Sequence, residues 1–192
     1  MEMAALPRRA TRADLEALPE TVVGQIVDGD LIVMPRPASP HARAAGGLFR
    51  DLGPFDPHGA SPPGPGGWWI LAEPEVSFGN DVLVPDLAGW RRERMPVLPS
   101  VASFDDAPDW ACEVLSPNSV AIDRVHKMRI YARAGLGHCW LVDPLARTLE
   151  VFRREGDRWL LVGVHAGDAE VRAEPFEALP LAIGGWWLPG SA

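Results

Sequence analysis

Two acidic residues and one lysine stand where the sequence pattern predicts a sheet and the helix that packs on it. Asp86 lies in the stretch VLVPDLAGW, Glu113 lies in PDWACEVLS, and Lys127 lies on the helix predicted next. Strands rich in Val, Leu and Trp rarely hold an ionised carboxylate, because burying one without a partner costs several kcal/mol. Two carboxylates on neighbouring strands with a cation near them therefore suggest a site for a divalent metal ion.

The chemistry that such a site supports is hydrolysis. Asp86 and Glu113 offer hard oxygen ligands suited to Mg²⁺ or Mn²⁺, and the main-chain carbonyl of Val114 could join them. Glu73 or Glu75 is the candidate for a further acidic ligand. A bound metal activates water and neutralises charge on a phosphate, and a lysine in reach would orient that water. If the three side chains converge, the reaction is metal-assisted hydrolysis of a phosphodiester.

Each of these residues also has an interpretation without a metal. Lys127 could lay its stem along apolar surface, or pair with Asp123 one helical turn earlier. Glu113 could form a buried ion pair with Lys127, and Asp86 could be a turn residue beside Pro85. Spacing alone does not decide between these alternatives.

The bulk composition predicts one globular domain over residues 1–192, and it restricts the function. No run of about 18 apolar residues occurs, so no membrane span is expected. The N-terminus lacks the apolar core of a signal peptide, and two cysteines inside apolar runs suit a reducing cytoplasm. We therefore expect a cytoplasmic location. The net charge of −8 argues against tight, salt-driven binding to nucleic acid, although it leaves room for a local basic surface.

The first third of the chain predicts two helices around a hairpin. Thr11 begins a short helix, and apolar runs on both sides of Asp28-Gly29 predict a β-hairpin. Ser39 is the expected N-cap of a helix from about His41 to Leu52. Gly46 and Gly47 weaken the middle of that helix unless another part of the chain approaches closely there.

The middle of the chain predicts strands and a helix around the candidate site. The stretch from Trp68 to Phe78 is expected to pair with the stretch from Val82 to Trp90, with a bend at Pro74. Alternation in the strand 109–115 places Ala111, Glu113 and Leu115 on one face. The helix 120–134 turns an apolar arc inward that includes Val125, Met128 and Tyr131, and Lys127 falls inside this arc.

The last third predicts a strand, a hairpin and an apolar tail. The short run HCWLVDP should be a central strand that pairs in parallel with the strand 109–115. The tail ends in two tryptophans, which either pack on the core or cover a partner subunit. The predicted fold class is α/β (α+β), with a mixed central sheet flanked by helices. A helix and hairpin precede this sheet, and a further hairpin follows it.

These motifs together resemble the bacterial Uma family of restriction-endonuclease-like proteins, within the PD-(D/E)XK nuclease superfamily. The resemblance rests on VPDLAGW, APDWACEVLSPNS, DRVHKMRIYARAG, HCWLVDP and RTLEVF, and it covers nearly the whole chain. It implies a restriction-endonuclease-like fold, Mg²⁺ or Mn²⁺ as cofactor and DNA as substrate. By motif position, Asp86 and Glu113 would hold the metal, and Lys127 would assist the water.

The sequence departs from the superfamily pattern at two positions. The usual lysine comes two residues after the acidic one, where this chain has Leu115, and Lys127 matches members that carry the lysine on the next helix. An early glutamate is common in the family where this chain has Gln25, so Glu75 or Glu73 is the expected substitute.

Three functions remain open from the sequence. The first is a metal-dependent DNA endonuclease, which is expected to be a homodimer because cutting both strands needs two sites. The second is a catalytically inactive relative that binds nucleic acid or protein. The third is a structural dimer joined through the tryptophan-rich tail. No organic cofactor and no membrane partner are expected.

Overall fold

The computed structural model describes residues 9–34, 36–57 and 64–189. The α-helices are α1 (Arg12–Glu16), α2 (Ser39–Leu52) and α3 (Met128–Ala134), with 3₁₀ turns at Gly53–Phe55 and Ile183–Trp186 and a π-helical turn at Ile122–Lys127. Within those residue ranges, no helix is long and apolar enough to cross a membrane.

A six-stranded mixed sheet forms the centre of the fold, in the order β10-β9-β8-β7-β6-β3. Its strands are β3 (Trp68–Ala72), β6 (Leu87–Arg91), β7 (Trp110–Val114), β8 (His138–Asp143), β9 (Thr148–Glu155) and β10 (Arg158–Ala166). Strands β7 and β8 pair in parallel and are joined through the π-turn and α3, whereas all other neighbours are antiparallel. The predicted parallel unit and the central place of HCWLVDP are confirmed.

A second sheet has four strands, in the order β2-β1-β5-β4. Its strands are β1 (Val23–Val27), β2 (Asp30–Met34), β4 (Val76–Phe78) and β5 (Asp81–Leu83), and a small pair is formed by β11 (Glu170–Val171) and β12 (Leu181–Ala182). The β1–β2 turn holds Asp28 and Gly29 at φ 54° and 91°, the left-handed conformation that this tight hairpin requires. The first predicted hairpin is therefore confirmed.

The predicted pairing of the stretch from Trp68 with the stretch from Val82 is confirmed. Each of these two stretches, however, contributes one strand to the large sheet and one strand to the small sheet. Strand β4 pairs with β5 in the small sheet, and β3 pairs with β6 in the large one. Pro74 and Pro85 lie at the crossing, where the chain leaves one sheet and enters the other. Proline fits there because it has no N–H to donate to a sheet ladder. Asp86 lies at the same crossing, where its carbonyl accepts a hydrogen bond of 3.0 Å from the N–H of Glu73.

The central strands β7 and β8 of the large sheet are buried on both faces, whereas the edge strand β10 is largely exposed. The predicted alternation along β7 is confirmed, because Trp110, Cys112 and Val114 face one core cluster while Ala111 and Leu115 face the other. On the first face, rings pack edge-on and tilted around Phe176, at centroid distances of 4.9–5.5 Å from Phe55, Trp68, Trp110 and Trp140. The opposite face is covered by α3.

Helix α2 and the tail pack against each other. Trp186 and Trp187 are 0% and 3% exposed, so the hypothesis that this tail covers a partner subunit is wrong for the tryptophans. A Cβ at Gly47 would lie 3.1 Å from the Cα of Trp186, which explains a glycine in mid-helix. At Gly46 nothing lies that close. Helix α2 begins at Ser39 with Ala38 as its N-cap, so the prediction of Ser39 as the cap is wrong by one residue.

Replacing the buried tail tryptophan should destabilise the fold. We expect Trp186→Ala to lower the free energy of unfolding by about 3–5 kcal/mol, because it removes a large buried ring and the hydrogen bond of 2.9 Å from its indole N–H to Asp51. Chemical denaturation followed by circular dichroism measures this loss. Leu188→Ala is the control, since Leu188 is 42% exposed and its loss should change stability little. Equal effects of the two variants would contradict a packed tail.

Candidate active site

Asp86 and Glu113 are brought together by the pairing of β6 with β7. Leu87, the residue after Asp86, faces Cys112, the residue before Glu113, in the ladder. The carboxylate of Asp86 accepts a hydrogen bond of 2.7 Å at Oδ2 from the main-chain N–H of Val114. The structure therefore places the first acidic side chain against the backbone that carries the second one.

The π-helical turn brings Lys127 to the same place. Its i→i+5 pattern includes the bond from the N–H of Met128 to the carbonyl of Asp123. Asp123 and Lys127 are both 2% exposed on the inner face, whereas Val125 is 59% exposed. The prediction of Val125 in the apolar arc is wrong, because a wheel at 100° per residue does not describe a π-turn, which is frequent at functional sites.

Lys127 lies among oxygen atoms. Its Nζ is 2.9 Å from Oε2 of Glu113, 3.2 Å from Oδ1 of Asp123 and 3.5 Å from the carbonyl oxygen of Val84. Because the side chain is 2% exposed, it does not extend along the surface to solvent. Both ion pairs considered from the sequence are therefore present, and they share one ammonium group.

Tyr131, which the sequence placed only in an apolar helical arc, contacts the other carboxylate oxygen of Glu113. The hydroxyl of buried Tyr131 donates to Oε1 of Glu113. Burial raises the pKa of Glu113 to about 8 against the opposing effect of Lys127, and the charges of Asp123 and Asp86 add to this rise. Burial alone would lower the pKa of Lys127, but the carboxylates of Glu113 and Asp123 outweigh it and raise that pKa. The site thus holds more carboxylates than its lysine can neutralise.

The raised pKa of Glu113 predicts the pH dependence of stability. The folded protein binds a proton here up to about pH 8, whereas the unfolded chain loses it near 4.5. The stability from this group is complete below pH 4.5 and is lost as the pH rises to 8. Between pH 5 and 8 we expect a loss on the order of 2–4 kcal/mol, measured by urea unfolding. Glu113→Gln should flatten this slope, and an unchanged slope would contradict the assignment.

His41 is the second residue that sequence reasoning missed, since the sequence indicated only that it lies near the start of a helix. It lies in the first turn of α2, its side chain is 16% exposed, and its Nε2 is 3.0 Å from Oδ1 of Asp86. Burial lowers the pKa of His41, but the bond to Asp86 outweighs this and raises it. Its buried Nδ1 has no hydrogen-bond partner in the described part of the chain. His41 thus fixes the orientation of Asp86 from the side opposite to Val114.

The two candidates for a further acidic ligand, Glu73 and Glu75, lie in different places. Glu73 lies at the pocket beside Asp86, in a left-handed conformation with φ 49°. Glu75 is instead paired at 2.6 Å with Arg12 and does not line the pocket, so only Glu73 of the two lies at the candidate site. Buried Gln25 accepts a hydrogen bond of 2.8 Å from the N–H of Val84, and Leu115 is 3% exposed within the core.

A pocket of about 330 Å³ opens onto these side chains. Its lining includes the groups described above, namely His41, Glu73, Asp86, Glu113, Val114, Asp123 and Lys127. Ser116 and Ser119 also line it, but their hydroxyls bond each other across 2.9 Å at the start of the helical segment. Burial raises the pKa values of Cys112 and Cys139, which are free thiols away from this pocket.

The donor set fits a hard divalent cation with few protein ligands. Among the described residues, no group of three or more His, Cys, Asp and Glu side chains is arranged to hold a metal ion. Mg²⁺, however, is commonly bound by one or two carboxylates and several waters. The buried carboxylates of Glu113 and Asp123 share one ammonium group, and this excess provides the negative charge that such an ion would offset.

The chain belongs to the Uma2 family, whose model is described as "Putative restriction endonuclease" and matches residues 12–184. Its fold is also that of a crystal structure from Anabaena variabilis ATCC 29413, reported as a "putative nuclease belonging to DUF820". The two are 22% identical, with a TM-score of 0.70, over 92% of this chain and 97% of the other. No curated protein sequence matches the chain. The predicted family and fold class are confirmed.

Proposed function

We propose that this protein is a metal-dependent DNA endonuclease in which Asp86 and Glu113 hold a divalent cation and Lys127 assists the attacking water. The observation that carries the proposal is the convergence of these three side chains in one pocket, from two adjacent strands and one helix. Membership in the Uma2 family supports a nuclease, and the metal and the residue roles are our inference.

The chain's own residues have distinct tasks in this proposal. His41 and the N–H of Val114 fix the two oxygens of Asp86, and Tyr131 fixes one oxygen of Glu113. Lys127 is kept charged by Glu113 and Asp123, and so it can stabilise negative charge on a phosphate. A bound Mg²⁺ or Mn²⁺ would supply a water of lowered pKa and neutralise charge on the phosphodiester.

Hydrolysis of the phosphodiester bond consumes one water molecule. The oxygen of water bonds to phosphorus while the bond from phosphorus to one sugar oxygen breaks. One hydrogen of the water ends on the departing sugar oxygen as a hydroxyl, and the other remains with the new phosphate or leaves as a proton. A homodimer would present two such pockets, as cleavage of both strands of a duplex needs.

The test is cleavage of supercoiled plasmid by purified protein. We expect conversion to open circles with Mg²⁺ or Mn²⁺ and none with EDTA. Activity that persists in EDTA would contradict a metal-dependent site. Because a trace nuclease could mimic the result, the activity must also elute with the protein during gel filtration.

One observation favours a second function, that of an inactive relative which binds nucleic acid or protein. Both oxygens of Glu113 are already engaged, one by Lys127 and the other by Tyr131. A metal must therefore share or displace these contacts. Absence of nicking by the wild-type protein, together with absence of Mn²⁺ binding in calorimetry, would favour this second function.

A further inference from the structure

The groups assigned to hydrolysis lie at the bottom of a pocket. Glu113 is 1% exposed, and Lys127 and Asp123 are each 2% exposed. The side chains of Asp86 and His41, nearer the opening, are 16% exposed. The pocket volume of about 330 Å³ is at the lower end of the range typical for sites that bind small organic molecules, roughly 300–1,000 Å³. A reacting phosphate must therefore enter a narrow space.

The walls of this pocket come from four parts of the chain. They are the β1–β2 hairpin with the residues just before it, the segment before α2, the link between β5 and β6, and the turn before the π-helical segment. Several wall residues are apolar, namely Val22, Val23, Met34, Pro37, Val84 and Pro117. Apolar side chains contact the faces of unpaired bases. In a duplex the bases are stacked inside and the charged backbone faces outward, so such walls would contact phosphates poorly.

The two long cationic side chains of the pocket lie at different depths. Lys127 lies at the bottom, and Arg36, which is exposed, lines the opening. A single strand could place one phosphate near Lys127 and a neighbouring phosphate near Arg36, with the base between them against the apolar walls. A cationic path for the backbone is one feature of sites that bind single strands. The divalent ion of the proposed function would offset the carboxylates of Glu73, Asp86, Glu113 and Asp123, which line the same pocket.

We infer that the pocket admits one unpaired nucleotide, and that the substrate is therefore single-stranded DNA or an unpaired nucleotide within a duplex. This inference rests on the proposed hydrolysis at Asp86, Glu113 and Lys127. It adds the state of the DNA, which follows from the depth, volume and wall chemistry of the pocket. It is consistent with nicking of supercoiled plasmid, because negative supercoiling favours local opening of the duplex.

Labelled oligonucleotides of one sequence provide the first test. They are a single strand, a perfect duplex, and a duplex with one bulged nucleotide, each incubated with Mn²⁺ and the wild-type protein. We expect the single strand to be cut at least tenfold faster than the duplex, and the bulged duplex to be cut at the bulge. Equal or faster cleavage of the perfect duplex would overturn the inference. Preferential cleavage of the matching RNA strand would overturn the choice of DNA.

A pair of matched variants tests the pocket itself. Val23 is 45% exposed and lines the pocket, whereas Val33 is 47% exposed on the adjacent strand and does not line it. Val23→Trp should narrow the opening and slow cleavage of the single strand at least tenfold, with the affinity for Mn²⁺ unchanged in calorimetry. Val33→Trp should change neither quantity. An equal effect of both substitutions, or of neither, would contradict entry through this opening.

A DNA-binding measurement distinguishes failure of this inference from failure of the proposed function. Fluorescence anisotropy of labelled DNA is measured with Mn²⁺ and Glu113→Gln protein, so that cleavage does not consume the strand. We expect at least tenfold tighter binding of the single strand than of the duplex, and loss of that preference when Val23→Trp is added. If no strand is cut by the wild type but this preference is found, hydrolysis fails and the pocket assignment holds. If neither strand binds preferentially, the inference fails whether or not a plasmid is nicked.

Discussion

Removing either acidic side chain at the β6–β7 junction should abolish metal-dependent nicking. We expect Asp86→Asn and Glu113→Gln to lower the cleavage rate about 100-fold or more, because each would remove one of the two negative oxygen ligands that the proposed function assigns to the metal. Lys127→Met should have an effect of similar size, since it removes the only lysine at the pocket. Initial rates of plasmid nicking measure the losses, after circular dichroism has shown that each variant is folded.

Glu75→Gln is the matched control for these substitutions. It neutralises a nearby carboxylate of the same long hairpin, but Glu75 is paired with Arg12 outside the pocket. Its cleavage rate should stay within about twofold of the wild type, whereas Glu73→Gln, at the pocket, should be slower. Mn²⁺ affinity should fall in Asp86→Asn and Glu113→Gln but not in Glu75→Gln. Nicking that survives both carboxylate changes would point to a contaminating nuclease and would contradict the assigned site.

Loss of the buried lysine should also destabilise the fold. Lys127→Met leaves Glu113 and Asp123 without the ammonium group between them, and uncompensated buried charge costs about 3–5 kcal/mol. Methionine keeps most of the side-chain volume, so the loss reports charge more than packing. Urea denaturation at pH 9, above the pKa of about 8 that burial gives Glu113, gives the free energy of unfolding with both carboxylates charged.

A double substitution separates the ion pair from other effects. Glu113→Gln with Lys127→Met removes both charges of the closest pair, at 2.9 Å. We expect the double variant to be more stable than the sum of the single losses by at least about 1 kcal/mol, which is within the range for residues in direct contact. Additive losses would mean that the two side chains do not interact as the structure shows.

Much of the fold could be predicted because its signals are local. Asp28-Gly29 specifies a tight turn, and Gly135, which follows the predicted helix 120–134, ends α3 in the left-handed conformation. The parallel pairing of β7 with β8 follows from a strand, a helix and a strand in succession. The transfer of one hairpin between two sheets was not predicted. Pro74 indicated a bend, but the partner of each half depends on packing far away in the sequence.

The site was predictable only where a residue is unusual for its element. A carboxylate in an apolar strand and a lysine in an apolar helical arc stand out, so Glu113 and Lys127 could be named. His41 and Tyr131 do not stand out, because a histidine near a helix start and a tyrosine in a core are common. Their partners, Asp86 and Glu113, are distant along the chain. A pattern within one element cannot reveal such contacts.

The π-helical turn makes the lysine's position depend on chain length as much as on side-chain identity. A π-turn holds one residue more than the α-helix that could replace it. Loss of a single residue between Ile122 and Lys127 could be absorbed by reversion to α-helix, with α3 and its packing retained. If the lost residue lies between Asp123 and Lys127, Asp123 comes three residues before Lys127 instead of four, which changes how their side chains meet in the pocket. Descendants of this chain could thus lose the active arrangement in one indel while every site residue remained in the sequence.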